Sequence, residues 1–183
     1  MQAKGTTVKM LKNYITEVHG SEGLQRWLRS LPPASQGIFN QQILVSAWYP
    51  FEEAVQKPMA AMDRTFYEGN TEGNWKEGRY AAENDLHGVY RVFVRMANPQ
   101  FLMRNTVSIW SSYYAESEAR LAEGGKDGAV LVLSGIEPAC RHFDNHVGGW
   151  VERALEICGC RRIKITIANP EKGTTRYDIN WEY

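Results

Sequence analysis

Residues 143–183 read FDNHVGGWVERALEICGCRRIKITIANPEKGTTRYDINWEY, and two periodicities meet in that stretch. Phe143, Val147, Trp150, Val151, Ala154, Leu155 and Cys158 recur at i, i+4, i+7, i+8, i+11, i+12 and i+15, the apolar stripe of an amphipathic helix. Gly159 stops it. Ile163, Ile165 and Ile167 then alternate, Asn169-Pro170-Glu171-Lys172-Gly173 turns the chain, and Tyr177, Ile179, Trp181 and Tyr183 alternate again. Period-two alternation leaves one face of this hairpin against helices and the other toward solvent or a partner. Trp150 is expected to be a buried anchor between sheet and helices, and Gly148-Gly149 beside it to admit another backbone closely.

Immediately upstream, Glu118 to Ala122 reads as a strand, Gly124 to Gly128 as a turn and Ala129 to Leu133 as the partner strand. Before Glu116 the period is helical. Val8, Leu11, Ile15 and Val18 share a face up to Gly20; Ser21 can cap a second stripe through Leu24, Trp27, Leu28 and Leu31, which Pro32-Pro33 ends. Pro50 is placed to open a helix carrying Phe51, Val55, Met59, Met62 and Phe66, kinked or divided at Pro58. After a break at Gly69–Gly73, Asn74 is positioned to cap a helix through Ala82, Leu86, Val89 and Phe93. Asn98-Pro99 starts another, with adjacent apolar faces through Leu102 and Tyr113 and through Met103, Val107, Trp110 and Tyr114. The expected fold is α+β, a single domain over 1–183. Its helical bundle (1–116) packs on a small four-stranded antiparallel sheet (117–183), in the order helices, hairpin, helix, hairpin.

With 21 Lys+Arg against 21 Asp+Glu the formal charge is zero, which argues against a nucleic-acid binder, since phosphate neutralisation needs a basic excess or stripe. No apolar run reaches the length of a membrane span, and the first residues carry no secretory pattern. Three cysteines in 183 residues suit a reducing compartment, so a cytoplasmic protein is expected.

The densest reactive cluster is Cys140-Arg141-His142-Phe143-Asp144-Asn145-His146. His142 and His146 stand at i and i+4, as two metal ligands would, but no Glu completes H-E-x-x-H, and the cluster falls where a helix opens. Structural, capping or solvated roles are expected there, and no metal. Cys158-Gly159-Cys160 is too tight for a thioredoxin-type pair. The glycine-rich stretches lack a Walker or dinucleotide context and read as turns. No catalytic residues are assigned. The aromatics Trp48, Tyr90, Phe93, Phe101, Trp110, Tyr113 and Trp150 are the candidates to line an apolar ligand pocket.

From about Asn98 onward the order of elements resembles a superfamily of ligand-sensing domains. It takes in the vinyl-4-reductase-like domains, the haem-dependent nitric-oxide/oxygen-binding domains and the core subunits of the TRAPP tethering complex. The carrying stretches are Leu133-Ser134-Gly135, Pro138-Ala139-Cys140, His146-Val147-Gly148-Gly149-Trp150-Val151 and the closing hairpin. The first half is similar to an uncharacterised family of myxobacterial proteins, through Trp48-Tyr49-Pro50 and Tyr90-Arg91-Val92-Phe93. The resemblance implies a non-enzymatic regulatory domain that binds a small apolar or aromatic molecule between helices and sheet, associating as a homodimer. A ligand-free protein-interaction module is the alternative, and a Cys/His- or metal-dependent enzyme a more distant one. Haem-binding members place a histidine on the helix before the sheet and a Tyr-x-Ser-x-Arg motif at the strand end. Here Pro99 to Tyr114 contains no histidine, and the strand end reads Ser134-Gly135-Ile136-Glu137-Pro138. His87, on the preceding helix, is the one substitute. Thr166, Asn169 and Arg176 or Tyr177 offer no counterpart to the vinyl-4-reductase zinc site. No cofactor is therefore expected, and specifically no haem.

Overall fold

The computed structural model describes residues 1–86 and 98–182. Strand β1 (Gln2–Lys4) leads into α1 (Gly5–Ser30), whose two halves join at Gly20, with φ of 68°. The sequence break is thus a kink rather than an end, made possible by the freedom of glycine at positive φ. Helix α2 (Pro33–Phe39) follows, then β2 (Trp48–Pro50). Pro50 closes this strand instead of opening a helix. A π-helical turn, Glu52–Gln56, precedes α3 (Lys57–Phe66). Pro58, lacking an N–H, lies at the start of α3, so the division foreseen there takes the form of a change of helical register. The Pro58 carbonyl accepts the buried Trp27 indole N–H at 3.1 Å.

Helix α4 (Glu72–Asp85) begins two residues before Asn74, at the N-cap Thr71. Asn74 is therefore not a cap: it is buried within α4, and its amide donates to the Asp63 carboxylate. The stripe residues Val89 and Phe93 lie outside the described residues. Helix α5 (Pro99–Tyr113) opens as expected, the Asn98 side chain accepting from the Phe101 N–H at 2.8 Å. It runs into β3 (Tyr114–Ala115).

Two antiparallel sheets form. The small one, in order β2-β1-β3, was not anticipated. The larger combines the hairpin β4 (Glu118–Gly124) and β5 (Gly128–Ser134) with the hairpin β6 (Arg161–Glu171) and β7 (Thr174–Glu182), in order β4-β5-β7-β6. Helix α6 (Arg141–Ile157) connects the two hairpins and is stopped by Gly159, with φ of 95°. Register puts Leu131 opposite Tyr177 and Ala129 opposite Ile179. These residues, with Leu133 and Trp181, are buried in one core with Phe143, Val151 and Leu155 of α6. Outer-face positions such as Arg176 and Asp178 are partly exposed and pair with each other at 2.7 Å. The α+β order of helices, hairpin, helix, hairpin is thus as the sequence implied.

Candidate functional site

Helix α6 is fixed to α4 at contact distance. A Cβ at Gly78 would run into the His146 carbonyl, and one at Gly149 into the Trp75 carbonyl, so only glycine admits this approach. Gly148 lies under the Trp75 ring. The close backbone expected beside Gly148-Gly149 is therefore α4. Along the seam the Trp75 indole donates to Glu152 at 2.9 Å, Arg79 grips Glu156 with two bonds of 2.9 Å and also reaches Glu152, and Arg153 donates to Glu83 at 2.8 Å. Bidentate guanidinium–carboxylate pairing of this kind fixes orientation as well as distance.

The other flank of α6 borders a hollow of about 560 Å³. Among the described residues its walls come from β1 and α1 (Lys4, Thr7, Met10), the end of α4 (Ala81, Asp85, Leu86), the end of α5 and β3 (Trp110, Tyr113, Tyr114), the sheet (Ala119, Leu131) and α6 (His146, Val147, Trp150, Val151). An aromatic cluster braces it: Tyr114 meets Phe143 edge-on at 5.1 Å, and Phe143 meets Phe51 at 4.8 Å. The lining is mostly apolar, with a few polar groups at defined points, as in small-molecule sites. Asp85 accepts the Trp150 indole N–H at 3.0 Å, and burial pushes its carboxyl above the ordinary range despite that bond. Burial likewise pushes up the Tyr114 phenol. Lys4 lines the hollow and sets its ammonium over the Trp48 ring at 4.5 Å.

Of the aromatics expected to converge, Trp110, Tyr113 and Trp150 do so. Trp48 is 38% exposed and Phe101 58% exposed, and neither lines the hollow. Tyr90 and Phe93, like His87, lie outside the described residues. Trp150 is only partly buried, because the hollow lies against it. Trp181 is the better buried of the two, at 3% exposure.

His142 and His146 are held by other helices rather than by their own. Neither caps the helix or sits in solvent. His142 Nδ1 bonds Asp63 at 2.7 Å, and His146 Nδ1 bonds Glu77, each carboxylate being buried. The i, i+4 spacing thus sends two imidazoles to two separate acids on α3 and α4, and among the described residues no three metal-binding side chains gather. Sequence reasoning missed these pairs because the acids lie on other helices. All three cysteines are buried; burial raises the Cys140 thiol and pushes Cys158 to about 12 and Cys160 to about 11.

No family model matches the chain, and no curated protein matches it. Solved structures do. An Fe(II) unliganded H-NOX protein from K. algicida superposes with a TM-score of 0.75 at 11% identity, covering 98% of this chain and 97% of that one. An oxygen-binding H-NOX domain related to soluble guanylate cyclases, in its oxygen complex, gives 0.65 at 13% identity, covering 98% and 95%. A protein in which haem redox potential is modulated through porphyrin distortion gives 0.66 at 14% identity, covering 98% and 94%. The chain therefore has the H-NOX fold over its whole length. The similarity to myxobacterial proteins is not addressed by these matches. The expectation of a haem-free protein is overturned, because proteins of this same fold carry iron, oxygen and a porphyrin. The expectation rests on Pro99–Tyr114, the strand end after Leu133 and His87, whereas the His146 imidazole lines the hollow from α6.

Proposed function

We propose that the chain is a sensory domain, regulatory rather than catalytic, whose hollow between helices and sheet takes a flat, largely apolar ligand of the porphyrin class. The observation that carries this reading is the hollow itself: about 560 Å³ bounded by Trp110, Trp150, Leu131, Val147 and Val151, with the His146 imidazole in its wall. Those residues suit the group. The apolar side chains would enclose the macrocycle, His146 offers a nitrogen ligand, and Lys4 offers a cation for a carboxylate. Bound haem would supply an iron able to take a small gas. The H-NOX neighbours, which include an oxygen complex, support the same direction. The raised thiols of Cys140, Cys158 and Cys160 argue against thiolate chemistry, since the thiolate is the nucleophile. Association of two copies through helices belongs to the proposal and is checked by light scattering.

Titrating haemin into the purified chain tests the reading. A Soret band saturating at one equivalent, with a rise in melting temperature, is expected. Ala81→Phe, which places a ring in the hollow, should weaken both while far-UV circular dichroism stays unchanged. Equal binding by the Ala81→Phe protein would place the ligand elsewhere and end this reading.

A further inference from the structure

Resting on the reading of the hollow as a porphyrin site, we infer that His146 is the iron ligand and that Glu77 holds its ring in the ligating state, so that the iron is gripped from α6. Among the described residues His146 is the only histidine that lines the hollow. His19 stacks on Phe66 at 3.8 Å, and His142 is engaged with Asp63. His146 is 5% exposed and Glu77 1% exposed, so the pair is sequestered from bulk water. Among the described residues no lysine or arginine pairs with Glu77; its acceptor oxygen meets His146 Nδ1 alone. A carboxylate at Nδ1 keeps the proton on that nitrogen and leaves the Nε2 lone pair available, the tautomer a metal requires. Nε2 has no hydrogen-bond partner among the described residues and is not among the buried polar atoms left without one.

The ring is also held mechanically. It stacks on Phe143, with centroids 5.8 Å apart and planes 18° from parallel, and its own backbone carbonyl is pinned against Gly78. Placement by a carboxylate, a ring and a glycine contact is the support a ligating imidazole needs to keep its geometry. The other donor atoms in the lining compete poorly. Burial disfavours the Tyr114 phenolate, and the Met10 thioether carries no comparable support. An iron–imidazole bond made here acts on α6 and, through Glu77, on α4.

The test uses the full chain loaded with haemin, oxidised and then reduced, read by absorption, resonance Raman and electron paramagnetic resonance. Wild type should show a histidine-ligated iron with an iron–imidazole stretch in the ferrous form. His146→Ala should retain haem in the hollow but lose that signature, and added imidazole should restore it. His146→Met, which preserves side-chain bulk, should move the spectrum to that of sulfur ligation, so the inference stands or falls even if the alanine variant does not fold. Glu77→Gln should keep the ligand and raise the reduction potential, because a neutral partner makes the imidazole a weaker donor. His146→Ala and His146→Met spectra identical to wild type would overturn the assignment while leaving the porphyrin site intact. Failure of wild type to take up one equivalent of haem would instead overturn the site itself.

Discussion

Helix α6 has two unlike flanks. Toward α4 it is packed to backbone contact through Gly78, Gly148 and Gly149 and bound by guanidinium–carboxylate pairs. Toward α5 and the sheet, a hollow of about 560 Å³ stands against the same helix. Protein interiors ordinarily close up to near-crystalline density. A hollow persists only where its walls are held by contacts elsewhere, and the α4 seam supplies those contacts. The division of labour is economical: the polar seam sets where α6 lies, and the opposite flank is left free to meet a ligand.

The largest expected effect separates packed core from cavity wall. Trp181→Ala should cost about 3–5 kcal/mol, as for other buried aromatics. Trp150→Ala should cost less, about 2 kcal/mol, since part of its surface already faces the hollow. Denaturant melts compare the two, and equal costs would mean that the hollow is filled by protein. Next, Gly78→Val drives a side chain into the His146 carbonyl and should lose at least 1–3 kcal/mol, the usual range for overpacking being about that size. The same substitution at Gly37, which has open space around it, serves as the control in the same melts and should cost about 0.5 kcal/mol or less.

The sequence showed one of these flanks better than the other, for physical reasons. The stripe on α6 and the two closing hairpins announce themselves because apolar side chains recur at 3.6 and at two. The buried face of α4 consists of Gly73, Asn74, Glu77, Gly78, Ala81 and Ala82, small or polar residues that no hydrophobic period detects, yet it packs to backbone contact with α6. Asn74, taken for a cap, is part of that hidden face. The small sheet was illegible because β1 and β2 span 3 residues each and β3 only 2, too few for alternation to register. At the site, Trp110, Tyr113 and Trp150 of the aromatics singled out in the sequence line the hollow. Trp48 and Phe101, also among them, are exposed. The His146–Glu77 pair spans 69 positions, so neither residue marks the other along the chain. The resemblance to haem-binding domains was visible, but a missing histidine on one helix and a missing motif at one strand end say nothing of an imidazole brought in from another helix.

A smaller effect distinguishes the flanks by pH. Burial raises the Asp85 carboxyl above its ordinary value of 3.8, so the native state holds this proton more tightly than the unfolded chain does. Asp85 therefore favours the native state fully below 3.8, and that contribution is lost as pH rises through the raised native value. Asp85→Asn retains an acceptor for the Trp150 indole without the ionisation. Its melting temperature should gain on wild type as pH rises through that window and then hold a constant lead; parallel curves throughout would mean that Asp85 is solvated. The smallest effect is at Met10, half-buried in the hollow wall, where Met10→Ala should cost less than about 1 kcal/mol in thermal melts.

The sequence contains 6 tryptophans, and they report on the two flanks separately. Trp75 sits in the α4 seam and Trp27 in the core, whereas Trp110 and Trp150 line the hollow. Titration with diamagnetic zinc protoporphyrin, followed through the indole N–H resonances in nitrogen-15 correlation spectra, reads all of them at once. A porphyrin in the hollow should shift the Trp110 and Trp150 signals by ring current, saturating at one equivalent, while Trp75 and Trp27 stay in place. Shifts confined to the exposed Trp48, or spread equally over Trp75 and Trp27, would contradict a ligand site on the open flank of α6.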